Sequence, residues 1–158
     1  MSPRSSVLDE IKQTRPFRSR SQEAMIALMR TAHLLRRHSE AVVGTEGLTL
    51  QQYNVLRILR GARGPLPTME ISSRMIEPAP GITRLICTLE SGGFVKREQY
   101  PGDRRQVLCE ITQAGLEVLS SLDGPMDKLD DEVAGHLTPE QVDTLLDTLS
   151  DIRARLHE

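Results

Sequence analysis

The 158-residue sequence predicts a mainly α-helical chain carrying one small β-hairpin. Three observations lead there. Apolar residues recur at helical spacing over most of the length, and three hydroxyl-x-x-glutamine helix starts punctuate that pattern. After Gly92-Gly93 the period falls to two for a short stretch before helical spacing returns.

The helix starts share one chemistry. Ser19 is followed three positions on by Gln22, Thr49 by Gln52 and Thr138 by Gln141. In each, the hydroxyl can accept from an orphan N–H while the glutamine reaches back to the cap residue's own N–H. Leu48 with Tyr53, and Leu137 with Val142, supply apolar staples around the second and third starts. Pro139 takes the first helical position of the last helix, where a missing N–H costs nothing.

Element by element, a short helix over 7–14 precedes Pro16. From Ser21 the spacing of Ala24, Ile26, Leu28, Leu34, Leu35 and Val42 predicts a long helix that Gly44 stops. The next helix spans 50–60 with Tyr53, Val55, Leu56 and Leu59 inward, ended by Gly61. Gly64, Pro65 and Pro67 mark a loop, and Thr68 caps a short helix over 69–75. After the interruption by Pro78 and Pro80, a helix over 79–91 closes at Gly92-Gly93. Val95, Arg97 and Gln99 then alternate with Phe94, Lys96 and Glu98. Tyr100-Pro101-Gly102-Asp103 is a turn by composition, and Val107, Cys109 and Ile111 share one face of a second strand. Thr112 opens a helical region through Leu116, Leu119, Leu122, Met126 and Leu129, with a bend expected at Gly124-Pro125. In the last helix Val142, Leu145, Leu149, Ile152 and Leu156 follow a 3-4-3-4 spacing, a bare stripe suited to a partner helix.

Helix, short helix, helix and two-stranded hairpin, in that order, is the arrangement of a winged helix-turn-helix. An α-helix fits the major groove of duplex DNA, and such folds place their second helix there. That helix is the one over 79–91. With Ile82, Leu85, Ile86 and Leu89 inward, Pro80, Gly81, Thr83, Arg84 and Thr88 face the other way as candidate DNA contacts. Arg84 suits a guanine edge or a phosphate. The hairpin tip presents Arg104 and Arg105 to phosphate or a narrow minor groove, with the Asp103 carboxylate positioned to orient a guanidinium.

Charge is unevenly spread. The net −2 divides into +4 over 1–40, +2 over 41–112 and −8 over 113–158, which keeps acid away from the basic reading lobe. The two cysteines, Cys87 and Cys109, are too few and too separated for a zinc site or disulfide framework, so a reducing cytoplasm is expected. Neither an apolar run of membrane-spanning length nor a leader-type segment occurs, and no membrane association is expected. The sequence contains no phosphate-binding glycine loop, metal-ligand spacing or nucleophile motif, so no enzyme activity, metal or cofactor is expected. The rival reading is a winged helix that binds another protein instead of DNA, which Glu77, Pro78 and Pro80 favour and Arg84, Arg104 and Arg105 oppose.

The stretches LTLQQYNVLRIL and ITRLICTLESGGFVKREQYPGDRRQVLCEITQAG carry a resemblance to the MarR (multiple antibiotic resistance regulator) family of transcriptional regulators. Its carriers are Ile82-Thr83-Arg84-Leu85, Leu89-Glu90, Gly93-Phe94-Val95, Asp103-Arg104-Arg105, Ile111-Thr112 and Gly115. The resemblance implies a homodimer with helical dimerisation parts from both chain ends, 1–45 and 113–158, around a DNA-binding lobe over 46–112. It also implies a repressor on a pseudo-palindromic double-stranded operator, released by a small-molecule effector or by oxidation. Family pockets lie between dimerisation helices and lobe, which makes His33, Arg37, His38 and Tyr53 the candidate effector contacts. One departure is Ala79-Pro80-Gly81 where the family often has hydroxyl residues at the start of the recognition helix. The other is the lack of a cysteine in 1–50, where the family's organic-peroxide sensors keep theirs.

Overall fold

Seven helices and a three-stranded antiparallel sheet make up the described part of the chain, residues 6–103 and 105–157 of a computed structural model. In order these are α1 (Val7–Glu10), α2 (Arg20–Gly44), α3 (Leu50–Arg60), β1 (Leu66–Pro67), α4 (Thr68–Ser73), α5 (Ile82–Ser91), β2 (Val95–Gln99), β3 (Val107–Ile111), α6 (Gln113–Ala134) and α7 (Pro139–Leu156).

The helix starts form much as their chemistry dictates. Thr49 and Thr138 each close a full capping box with Gln52 and Gln141. Ser19 makes half of one. Its hydroxyl accepts from the Gln22 N–H at 3.1 Å, but the Gln22 side chain accepts from the Arg18 N–H, one residue early. The helix over 7–14 is shorter than expected and ends at Glu10, with Lys12 at φ 55 turning the chain. Gly44 is the last residue of α2, as expected, and the turn after it is made by Gly47 at φ 72, a conformation glycine adopts without strain.

Three expectations are corrected in the lobe. The helix over 79–91 starts only at Ile82, because Pro80 pushes Ala79 out of the helical region and Gly81 sits left-handed at φ 81. Thr68 does not cap α4; Pro67 stands at the cap position with extended backbone, and the helix ends at Ser73. Leu66 and Pro67, read as loop, form an edge strand opposite Cys109 and Leu108, a place where proline's missing N–H can face outward. Gly124 and Pro125, where a bend is expected, lie inside α6, which runs as one helix from Gln113 to Ala134.

The core is built around α3, whose Val55, Leu56 and Leu59 are buried as their spacing requires. Ile71 of α4, Ile86 and Leu89 of α5, Val95 and Cys109 of the sheet, and Leu119 and Leu122 of α6 close over them. Each such aliphatic side chain contributes about 1.5–3 kcal/mol by leaving water. An Arg60–Asp123 pair, bonded at 2.9 and 3.0 Å, ties α3 to α6. α7 differs from every long helix before it: none of its residues is buried, and Leu145, Leu146 and Leu156 stand 47, 58 and 79% exposed.

Candidate nucleic-acid interface

α5 is strongly two-faced. Ile86 and Leu89 are buried and Ile82 and Leu85 half-buried, while Thr83, Arg84 and Thr88 are exposed, with Pro80 and Gly81 exposed just before the helix. The outward face near the N-terminus is therefore small except for Arg84, which has no carboxylate partner among the described residues and is left to meet an external acceptor. The Thr88 hydroxyl donates to the Arg84 carbonyl at 3.0 Å, so toward a ligand it offers an acceptor and a methyl group. Gly81, lacking a side chain, caps α5 without satisfying its first N–H groups, which stay available to an anion.

The hairpin of β2 and β3 ends in a turn closed by its own backbone. Tyr100 donates its N–H to the Gln106 carbonyl at 2.9 Å and Gln106 returns a bond to Asp103 at 2.9 Å, closing the turn. The Asp103 carboxylate accepts from the Arg105 backbone N–H at 2.9 Å, so it shapes the backbone of the turn. Among the described residues it forms no ion pair with the Arg105 guanidinium, which is exposed. Arg104 lies outside the described residues.

Sheet and helix are joined by a residue not singled out as a contact. Arg97 on β2 donates from Nη1 to Glu90 at 3.0 Å and to the Cys87 sulfur at 3.0 Å, with its side chain only 23% exposed. The hydrogen bond to Glu90 raises its pKa further, so it is a permanent cation. The signal was present in the alternation of β2, which puts Arg97 on the inward face with Val95.

The chain as a whole is similar to known proteins. The model described as the MarR family matches residues 48–107. The HTH-type transcriptional regulator TtmR of Methylorubrum extorquens (strain PA1) is 32% identical over 157 residues, covering 98% of this chain and 77% of that protein. The chain belongs to the MarR family. Among solved structures, this MarR-family chain is similar to a MarR transcription factor from Planctomyces limnophilus, at 34% identity and TM-score 0.67, over 85% of this chain and 98% of that one. It is also similar to Sco3205 of Streptomyces coelicolor, a MarR family regulator solved in complex with DNA. There the identity is 25% and the TM-score 0.73, over 92% and 94% of the two chains. The MarR relatives are transcriptional regulators, not enzymes.

A pocket of about 420 Å³ opens between α2, the start of α3 and the loop before α5. Of the four residues expected at an effector site only Tyr53 lines it, buried, with the Arg57 guanidinium 5.8 Å above its ring centre. Burial pushes the Tyr53 phenol above its ordinary pKa and keeps it neutral. His33, Arg37 and His38 are exposed and do not line it, and the His38 Nδ1 donates to the Leu34 carbonyl at 2.8 Å. The pocket instead meets the other face of α2, through Leu35, Arg36, Ser39 and Glu40. Helical spacing alone did not tell those two faces apart. Among the described residues no group of three His, Cys, Asp or Glu side chains can hold a metal ion, and no helix is long and apolar enough to cross a membrane.

Proposed function

We propose that this MarR-family regulator acts as a homodimer in the cytoplasm, binding a pseudo-palindromic DNA operator and repressing until a small-molecule effector releases it. The observation that carries the DNA reading is the outward face of α5, small at Pro80, Gly81 and Thr83 and bearing an unpaired Arg84, beside an exposed wing arginine, Arg105. A face of that shape approaches a groove closely and meets it with one long donor. Arg84 reads a base edge; Arg105 and Arg104 meet phosphate or minor groove, Asp103 orders the turn, and Thr88 lies further along the groove.

Dimerisation is supported by α7. In its seam Leu145 and Leu156 are exposed and Val142, Leu149 and Ile152 only half-buried within one chain, which a second copy relieves. We assign 1–45 and 113–158 to this contact and 46–112 to DNA. Two lobes then meet half-sites about one helical turn, roughly 34–36 Å, apart. The effector is placed in the pocket that Tyr53 lines, where it must favour a lobe spacing unsuited to the operator.

The test is to select duplexes from a random pool with the purified protein and titrate the winner against a scrambled duplex at several salt concentrations. An inverted repeat bound far more tightly than its scramble is expected. Failure to retain any duplex, with a protein partner retained instead, means the winged helix serves protein binding.

A further inference from the structure

We propose that Arg36, on the pocket side of α2, is a positioning residue for the recognition helix, acting through its ion pair with Glu77 in the loop before α5. The inference rests on the DNA-binding reading above and deepens it.

Segment 76–81 sets where α5 begins, and it has few ties of its own. The Asn54 side-chain oxygen accepts from the Ile76 N–H at 2.9 Å, and Ala79 is buried. Pro78 and Pro80 have no N–H to donate, and Gly81 supplies no side chain to cap the helix. Between the Asn54 tie and the buried Ala79 stands Glu77, and its partner is Arg36 on α2. The same guanidinium lies 3.9 Å from Glu40, one turn along α2, so it is held between two carboxylates. Arg36 and Glu77 both line the pocket, which makes their bridge a wall shared by the pocket and the start of the reading helix.

The pair is 40 and 53% exposed on its two sides, so it adds little to global stability. Its work is local. It anchors a loop that proline and glycine leave short of hydrogen bonds. It also neutralises a carboxylate in the loop that leads into α5, the helix proposed to meet phosphate-rich DNA.

The experiment compares wild type, Arg36→Ala, Glu77→Gln, the double variant and Arg36→Lys. The readout is the ratio of affinities for the selected and scrambled duplexes, which cancels the general effect of charge on DNA binding. Each single variant is expected to lower the ratio about two- to fivefold, the double no further, with Arg36→Lys keeping most of it. The loss should fade as salt rises, since screening weakens the bridge in wild type too. Singles that leave the ratio unchanged, a loss in one single but not the other, or losses that multiply in the double overturn the proposal. Hydrogen exchange of segment 76–82 in the free protein gives an independent decision. Arg36→Ala and Glu77→Gln should lose protection there alike, and unaltered exchange overturns the bridge's role. If wild type binds no duplex, the DNA reading fails, while the exchange experiment still decides whether Arg36 holds the loop.

Discussion

Arg97 of β2 and Glu90 of α5 meet at 3.0 Å, and the same Arg97 nitrogen reaches the Cys87 sulfur, so wing and recognition helix share one guanidinium. The wing is thereby tied to the helix proposed to enter the groove. Arg97→Ala should cost about 1–2 kcal/mol, since Glu90 keeps water on its other side while the half-buried Cys87 loses its donor. Denaturant unfolding measures this. Arg97→Lys, without the planar fork, should recover only part.

Gly115 and Gly124 in α6 should respond oppositely to alanine. A Cβ at Gly115 would stand 2.5 Å from the Phe94 carbonyl oxygen and 2.7 Å from Ile111, both fixed where the sheet meets the helix. Gly115→Ala should destabilise by about 1–3 kcal/mol through overpacking. At Gly124 nothing lies within 4 Å, and Gly124→Ala should stabilise by about 0.5–1 kcal/mol through helix propensity. Paired melting curves check both.

Alkaline pH should weaken the fold through Cys109. Burial pushes its thiol above the ordinary value of 9.0, so the unfolded chain ionises first. The sign follows: its contribution is complete below the unfolded pKa and is lost as pH rises from about 9 through the folded value. Tyr53 acts in the same direction somewhat higher. A Cys109→Ala variant should start less stable and show a shallower fall in denaturation midpoint above pH 9. In the native protein, iodoacetamide should label the half-buried Cys87 well before Cys109.

The two arginine positions should fail differently. On the proposed reading Arg84→Ala removes a base contact, which should cost about 1–3 kcal/mol and relax preference at one position of each half-site. On the same reading Arg105→Ala removes a phosphate contact, so affinity should fall for all sequences and the log–log salt slope should drop by about one. Asp103→Ala should resemble a mild Arg105→Ala, because it frees the Arg105 backbone N–H that shapes the turn. Tighter binding by Asp103→Ala would show the carboxylate to be only a repulsive neighbour. Titrations of selected and scrambled duplexes across salt separate these outcomes.

Leu145 and Leu149 test assembly. Light scattering should give about twice the chain mass of 17.7 kDa for the wild type. Charged replacements at both positions should give monomer or insoluble protein, with operator affinity lost in step. A wild-type monomer at micromolar concentration would contradict the proposed dimer.

What the sequence determined by itself is the chemistry that acts over three or four residues. Thr49 with Gln52 and Thr138 with Gln141 formed their caps because both partners lie within one helical turn. The inward stripes of α3 and α5 turned to the core, with Ile82 and Leu85 half-buried and the rest buried, because helical geometry leaves them one face. Tertiary structure decided whatever depended on a partner far along the chain. Leu66 and Pro67 became a strand only because β3 offered an edge, and Arg97 found Cys87 and Glu90 only once the sheet lay against α5. Arg36 rather than His33, Arg37 or His38 faced the pocket because the packing of α2 on the lobe set its rotation. Spacing shows that a helix has faces; the neighbours it packs against decide which one meets the site.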